Sequence, residues 1–431
     1  MKKIFFRVRS FFNIITSSIA FYPTFYAVTA VILGIVMKFA EQSGISKYLS
    51  DHAPWLVVSD ADTVRNILST LIASGLSMLV FSFSMVMLLL SQAANNYSPR
   101  VLPSLIANRR HQTILGTFLA MILYNMITIL GIESKSDGYT MPALSVFIGV
   151  LSAVIALAAF VYFIHSISTS IQINQILKKI YNVTNERLQE VVDDSEAKND
   201  WPDTDDWNIY NSKQNGTLQN YSAVALQGMA EEYDIKFEFI IIKGQYIFEG
   251  QPIARTSKKL TDEQEEELYK NFNFNESELV YDNYVLGFKQ IAEIGVKAMS
   301  PGINDPGTAL DTINYLMELF ALRMKKNDNT IIRAEDSEEP LIKVKTVDFT
   351  DLLYQTMVAY RTYCKHDMVV MQKLFLMMKH LAQQEAIHDS FYDVVKRETE
   401  LLMTDARDAV NNQMDIMVLT NYYDEVLEIL D

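Results

Sequence analysis

The sequence predicts an integral membrane α-helical protein with four transmembrane helices, followed by a helix-dominated α+β cytoplasmic domain. Three observations carry that prediction. Four long apolar runs lie in the first 170 residues of a 431-residue chain. Charge splits between the halves: residues 1–190 carry a net +6, and the remainder a net −21, within an overall −15. Beyond the last apolar run the hydrophobic pattern turns amphipathic, with helical periods broken by short β-branched and aromatic clusters. An apolar, mildly basic half ahead of a polar, acidic half reads as a membrane part and a soluble part. The acidic half has the wrong sign to neutralise phosphates, so no nucleic acid partner is expected.

Residues 1–18 are basic and then apolar, with Phe5, Phe6, Phe11 and Phe12 among Lys2, Lys3, Arg7 and Arg9. They read as an interfacial amphipathic segment. The transmembrane domain, residues 19–166, holds spans at about 20–39, 67–94, 113–132 and 141–164. Each has the roughly 20 apolar residues that a bilayer requires. None has an ionisable residue near its middle, and Lys38 at the end of the first can reach the interface. Basic residues crowd the N-terminal tail, the second loop (Arg100, Arg109, Arg110) and the segment after span four (Lys178, Lys179, Arg187). The positive-inside rule then puts both termini in the cytoplasm.

Span two carries hydroxyls at Thr70, Ser77, Ser84 and Ser91, seven residues apart, and Ser74 falls on the same helical face. Span four carries a stripe of small residues: Ser145, Gly149, Ser152, Ala156, Ala159, Ser166 and Ser170. The plainer reading packs the two stripes together, because small residues let membrane helices approach closely. The sharper reading makes the span-two hydroxyls the lining of a pore in an oligomer. The absence of carboxylates within the spans argues against a proton-coupled transporter. Arg100, Arg109, Arg110 and His111 in the second loop would then ring a cytoplasmic mouth, unless they serve only as positive-inside charge or lipid contacts.

Ile173, Leu177, Ile180, Thr184, Leu188 and Val191 continue a helical stripe, so residues 167–192 are expected as a stalk. The acidic stretch 193–220 reads as a linker, and residues 221–431 as the α+β domain. There, "KFEFIIIKG" and "QYIFEGQPIA" read as two strands joined at Gly244. Thr261 caps a short helix, and helices follow over about 281–299 and 306–326. "LIKVKTVDF" is a third strand, and the chain is nearly all helical from Thr350.

No nucleotide-binding, hydrolase or metalloprotease motif is present, so no enzymatic activity and no cofactor are expected. Cys364, the single cysteine, forms one C-x-H pair with His366, and Glu385 with His388 forms one E-x-x-H. Two potential ligands on a helix make a poor metal site, so both read as ordinary helix residues.

"SPGINDPGTALD" (300–311) interrupts strong helix formers. Ser300, Pro301 and Gly302 would stop one helix, with Gly302 free to take positive φ. Asp305 would cap the next helix after Asn304, and Pro306 suits its first position. The amides of that helix start could alternatively hold an anion. "GFKQIAEIGVKAMSPGINDPGTALDTINYL" (287–316) resembles the hallmark segment of a bacterial membrane protein family catalogued as domain of unknown function 2254. "FSFSMVMLLLSQAANNYSPRVLPSLIANRRHQTILGTFLAMILYN" (81–125) resembles its second hallmark. The resemblance runs to roughly residue 380. It implies several N-terminal spans, a cytoplasmic C-terminal part and a plasma-membrane location, and hands over no activity. The functional expectation is a homo-oligomeric, ion-permeable pore for small ions in the lipid bilayer, with a regulatory cytoplasmic domain. Its alternative is a membrane-anchored sensor or scaffold.

Overall fold

A computed structural model describes residues 20–43, 52, 58, 60–96, 109–132, 142–170, 173–193, 201–275, 283–334 and 339–431. Two compact units divide the chain, residues 1–172 and 173–431.

Among the described residues the first unit has four long helices: α1 (Phe21–Gln42), α2 (Ala61–Asn96), α3 (Arg109–Leu130) and α4 (Ala143–Ser170). All four have the length and composition to cross a membrane. Helix α3 touches the other three and is the most buried of the set. Its Ile114, Phe118, Met121 and Ile122 meet Ala156, Phe163 and Ile167 of α4. Gly149 of α4 has no room for a side chain, because a Cβ there would overlap Asn125 Oδ1 of α3. The expected interfacial segment 1–18 lies outside the described residues.

The second unit begins with α5 (Ile173–Asp193). Its predicted stripe is real, but the helix is not a free stalk. Leu177, Ile180, Thr184 and Leu188 are buried, and α5 packs on α8 (Tyr284–Ala298) and α9 (Pro306–Arg323). Between α5 and α8 lie β1 (Asn208–Asn211), β2 (Gly216–Tyr221), α6 (Ala223–Tyr233), β3 (Phe237–Phe239) and β4 (Tyr246–Ile247). They are followed by β5 (Pro252–Thr256), α7 (Asp262–Lys270) and β6 (Phe272–Asn275). After α9 come β7 (Asn329–Arg333), β8 (Pro340–Lys345), α10 (Phe349–Cys364), α11 (Met368–Ala382), α12 (Ser390–Ala409) and α13 (Gln413–Leu430).

The strands form a five-stranded sheet, β1-β5-β3-β8-β7, and a three-stranded sheet, β4-β2-β6. Among the described strands only β3 and β8 run parallel, with Glu238 opposite Lys343. Two expectations are corrected here. The supposed linker 193–220 contains β1 and β2, whose Asn- and Gly-bearing sequences have little intrinsic strand preference. The two strands flanking Gly244 are not a hairpin: β3 pairs with β5 and β8, while β4 pairs with β2. Gly244 takes φ +84°, and the turn there carries the chain from one sheet to the other.

Phe237, Phe239, Ile253, Ile342 and Leu226 fill the sheet core. The helical core is built around α8, which touches α5, α9 and α10 and buries residues on nearly every side. Its glycines mark the tightest crossings. A Cβ on Gly287 would overlap Thr184 of α5, and one on Gly295 would overlap Thr312 of α9 and Tyr360 of α10. Thr312 and Tyr360 hydroxyls are hydrogen-bonded at 2.8 Å across that gap.

Gly295→Ala is expected to cost about 1–3 kcal/mol through overpacking, read as a lowered midpoint in thermal unfolding of the purified protein. Adding Tyr360→Phe, which removes one of the two colliding hydroxyls, restores part of the loss.

Candidate functional site

The span-two hydroxyls lie on one exposed strip of α2. Thr70 donates to Asn66 O at 2.8 Å, Ser74 to Leu71 O at 3.0 Å, Ser77 to Ala73 O at 3.0 Å and Ser84 to Val80 O at 2.9 Å. All four residues and Ser91 are exposed. The face of α2 turned toward its own unit is a different one, with Val64, Leu68, Gly75 and Ser82 buried. The expected meeting of the two small-residue stripes is therefore not found. Span four does turn Ser145, Gly149, Ala156 and Ser166 inward, but Gly149 meets Asn125 of α3. Helices α2 and α4 do touch, but through bulky α2 residues: Leu68 lies against Gly149 and Val146, and Phe81 against Phe160 with ring centroids 5.8 Å apart. Bulky Phe118 and Met121 of α3 belong to the same cluster as Ala156.

The basic residues in the first turn of α3 do not form one group. Arg109 places its guanidinium 5.0 Å from the Tyr22 ring centroid, a cation–π contact. Arg110 is exposed. His111 is buried, edge-on to Phe163 at 5.9 Å, so it is absent from any surface ring. Arg100 lies outside the described residues.

Two contacts escaped sequence reasoning. Glu41 Oε1 accepts from Ser145 N at 2.8 Å and Ser145 Oγ at 2.9 Å, satisfying an amide in the first turn of α4. Arg65 donates to Ile132 O at 3.0 Å, at the end of the third span. Each partner pair is distant in sequence, and the only signal was a lone charge just outside an apolar run.

In the second unit, the Ser300–Pro306 corner has the predicted cap. Asp305 accepts from Thr308 N at 3.1 Å and from Thr308 Oγ1 at 2.6 Å, and Pro306 opens α9. Those bonds hold the Asp305 carboxyl below its ordinary value. Positive φ falls on Asn304, at +51°, and not on Gly302. Asn tolerates this conformation because its short polar side chain bonds locally. Ser300 O accepts from Ile303 N at 3.0 Å and Asn304 N at 2.9 Å, closing the loop. Residues 301–307 are exposed. Asp305 already engages the amide that an incoming anion would take.

Cys364 is buried, and burial pushes its thiol up to about 12. Among the described residues no group of three or more His, Cys, Asp and Glu could hold a metal ion. The buried charges are structural hubs. Glu238 meets Lys343 at 3.0 Å and Thr204 Oγ1 at 2.6 Å. Desolvation opposes its ionised form, yet those hydrogen bonds outweigh it and hold the carboxyl below its ordinary value. Arg361 bonds Asp405 at 2.8 Å and lies 3.6 Å from Glu398, whose carboxyl burial pushes up.

These features define a class: a helical membrane-type unit of four spanning-length helices joined in sequence to a separate helix-and-sheet unit. The chain belongs to the family described as "Predicted membrane protein (DUF2254)", whose model matches residues 16–380. It is 20% identical over 332 residues to uncharacterized proteins of Mycobacterium bovis and Mycobacterium tuberculosis, covering 74% of this chain. The matched stretch spans 64% of the length of those relatives. No solved structure matches the chain.

Asp305→Ala is expected to cost about 1 kcal/mol as a lost helix cap. Gly302→Ala, with nothing within 4 Å of its Cβ, stays within about 0.5 kcal/mol of the parent. Chemical denaturation of the two variants side by side checks both. The Asp305 contribution is present at neutral pH. It is lost in acid as pH falls through the depressed carboxyl value, because the unfolded chain takes up the proton first.

Proposed function

We propose that the protein is a homo-oligomeric, ion-permeable pore of the bacterial plasma membrane, with the second unit in the cytoplasm as a regulatory domain. One observation carries this reading: Thr70, Ser74, Ser77, Ser84 and Ser91 share a face of α2 that lies exposed in the single chain. Copies arranged around an axis would bring those faces together. Each of the first four hydroxyls donates to its own helix and keeps acceptor lone pairs for water or a partially dehydrated cation. Arg109 and Arg110 open α3, where the positive-inside rule puts the cytoplasmic end of the span. Their charge would act on ions entering from that side.

A second reading, a membrane-anchored scaffold, draws on a different observation. Met414 and Met417 of α13 and Val369 of α11 are exposed apolar side chains on the C-terminal helices. In that reading the four helices serve as an anchor, and the terminal helices bind a protein partner.

The test is flux through purified protein in liposomes, with cation and anion indicators run in parallel against empty vesicles. Selective flux is expected, and Ser84→Leu should lower it by about an order of magnitude by replacing a hydroxyl with a bulky apolar group. Absence of flux across several salts and pH values would sink the pore and leave the scaffold.

A further inference from the structure

Two connections between the five-stranded sheet and the helical layer of the second unit pass through one place. Helix α9 ends at Arg323 and β7 starts at Asn329, while β8 ends at Lys345 and α10 starts at Phe349. Between these ends a buried polar knot ties the two crossings. Arg323, fully buried, donates to Lys326 O at 2.9 Å and to Val347 O at 3.1 Å, and pairs with the Asp328 carboxylate. Asp328 Oδ1 also accepts from Phe349 N at 2.9 Å, and the Thr346 hydroxyl bonds Asp328 O. The loop joining α11 to α12 closes over the corner through Ile387 N to Met324 O at 2.9 Å and His388 Nε2 with Asn327 Oδ1 at 2.6 Å.

Lys326 sits inside this knot, 1% exposed. Its Nζ donates to Asn327 O at 2.6 Å and reaches Thr346 Oγ1 at 3.5 Å. The ionisable side chains around the knot are Arg323 on α9, Asp328 before β7, Tyr284 on α8 and His388 in the closing loop, while Lys325 faces outward. Two basic side chains thus share one carboxylate, and that carboxylate is already bonded to Arg323 and to a backbone amide. An arginine cannot shed its proton in such a place; a lysine can.

We propose that this knot is a proton-operated hinge: the closed corner disfavours the charged amine of Lys326, and protonation of that amine favours opening of the corner and of the loop resting on it. Burial, then Arg323, bring the Lys326 amine down to about 7. In the open corner, exposed to water, it returns to the ordinary lysine value near ~10.4. Between those values the open form binds the extra proton, so closure strengthens as pH rises and weakens as pH falls toward 7. Below 7 both forms are protonated and the response flattens. The hinge stands independently of the pore reading, because it concerns packing within the second unit.

Hydrogen–deuterium exchange on the full-length protein tests it, read on peptides spanning 324–333 and 383–390 from pH 6 to 9. Rates are corrected for the intrinsic pH dependence of exchange. Above pH 7 the opening constant is expected to fall by up to about tenfold per pH unit. Lys326→Met and, as a second uncharged variant, Lys326→Gln should abolish that slope, while His388→Gln should keep it. A flat wild-type profile would overturn the hinge without reference to any variant. So would a slope that persists in either Lys326 variant, or one that disappears in His388→Gln. An opening constant set by chloride concentration at fixed pH would also overturn it, because a buried anion would then balance the charge.

Discussion

The second unit depends on the near-complete burial of one helix, Tyr284–Ala298. It meets three other helices, and at two of those crossings the backbones come so close that only glycine fits. Gly287 admits Thr184, and Gly295 admits the bonded hydroxyls of Thr312 and Tyr360. Glycine inside a helix is unfavourable by about 1 kcal/mol relative to alanine. Here the packing it permits offsets that cost. The Ser300–Pro306 corner then returns the chain as α9, which packs on both α8 and α5. The hallmark string is thus a buried helix, a corner and a capped helix in succession, and the glycines and prolines within it follow from that geometry.

A different constraint governs the first unit. Without water, a polar group gains most from a partner inside the protein, and for backbone groups that partner is required. The exposed hydroxyls of α2 meet this demand by bonding to carbonyls one turn back, so they are tolerable against lipid and remain available to water. Glu41 and Arg65 answer the same demand at helix ends, one taking an amide of α4 and the other a terminal carbonyl beyond α3. Buried charge follows a related rule in the second unit. Glu238, Arg323 and Arg361 each sit among opposite charge or backbone partners. In the Arg323 cluster two basic groups face one carboxylate, and Lys326 is the member able to give up its proton.

What could be read locally was read from local chemistry. Thr261 caps α7 through a capping box because Gln264 stands three residues on. Asp305 and Pro306 open α9 for the same kind of reason, since the groups they satisfy lie within one turn. The stripe from Leu177 to Leu188 reported a buried face correctly, because helical period follows from backbone geometry. It names no partner, so a stalk is the local reading, and only the packing of α8 and α9 against the helix makes it part of the core. The strands of 208–221 escaped notice because their stability comes from partners far along the chain, such as β5 and β6, and not from their own residues.

The sequence by itself determined that four helices of spanning length precede an acidic, helix-rich α+β part, since length, hydropathy and charge are additive properties of residues. It also determined where helices begin and end around 300–306, because capping acts over three or four residues. Only the tertiary structure decided that the span-two hydroxyls face outward, that His111 is buried beside Phe163, and that Asn304 rather than Gly302 takes the left-handed turn. It alone brought Lys326 beside Arg323 with one carboxylate between them and the strands. Those outcomes depend on which faces find each other, and a helical period leaves the rotation of each helix about its axis undetermined until its neighbours are in place.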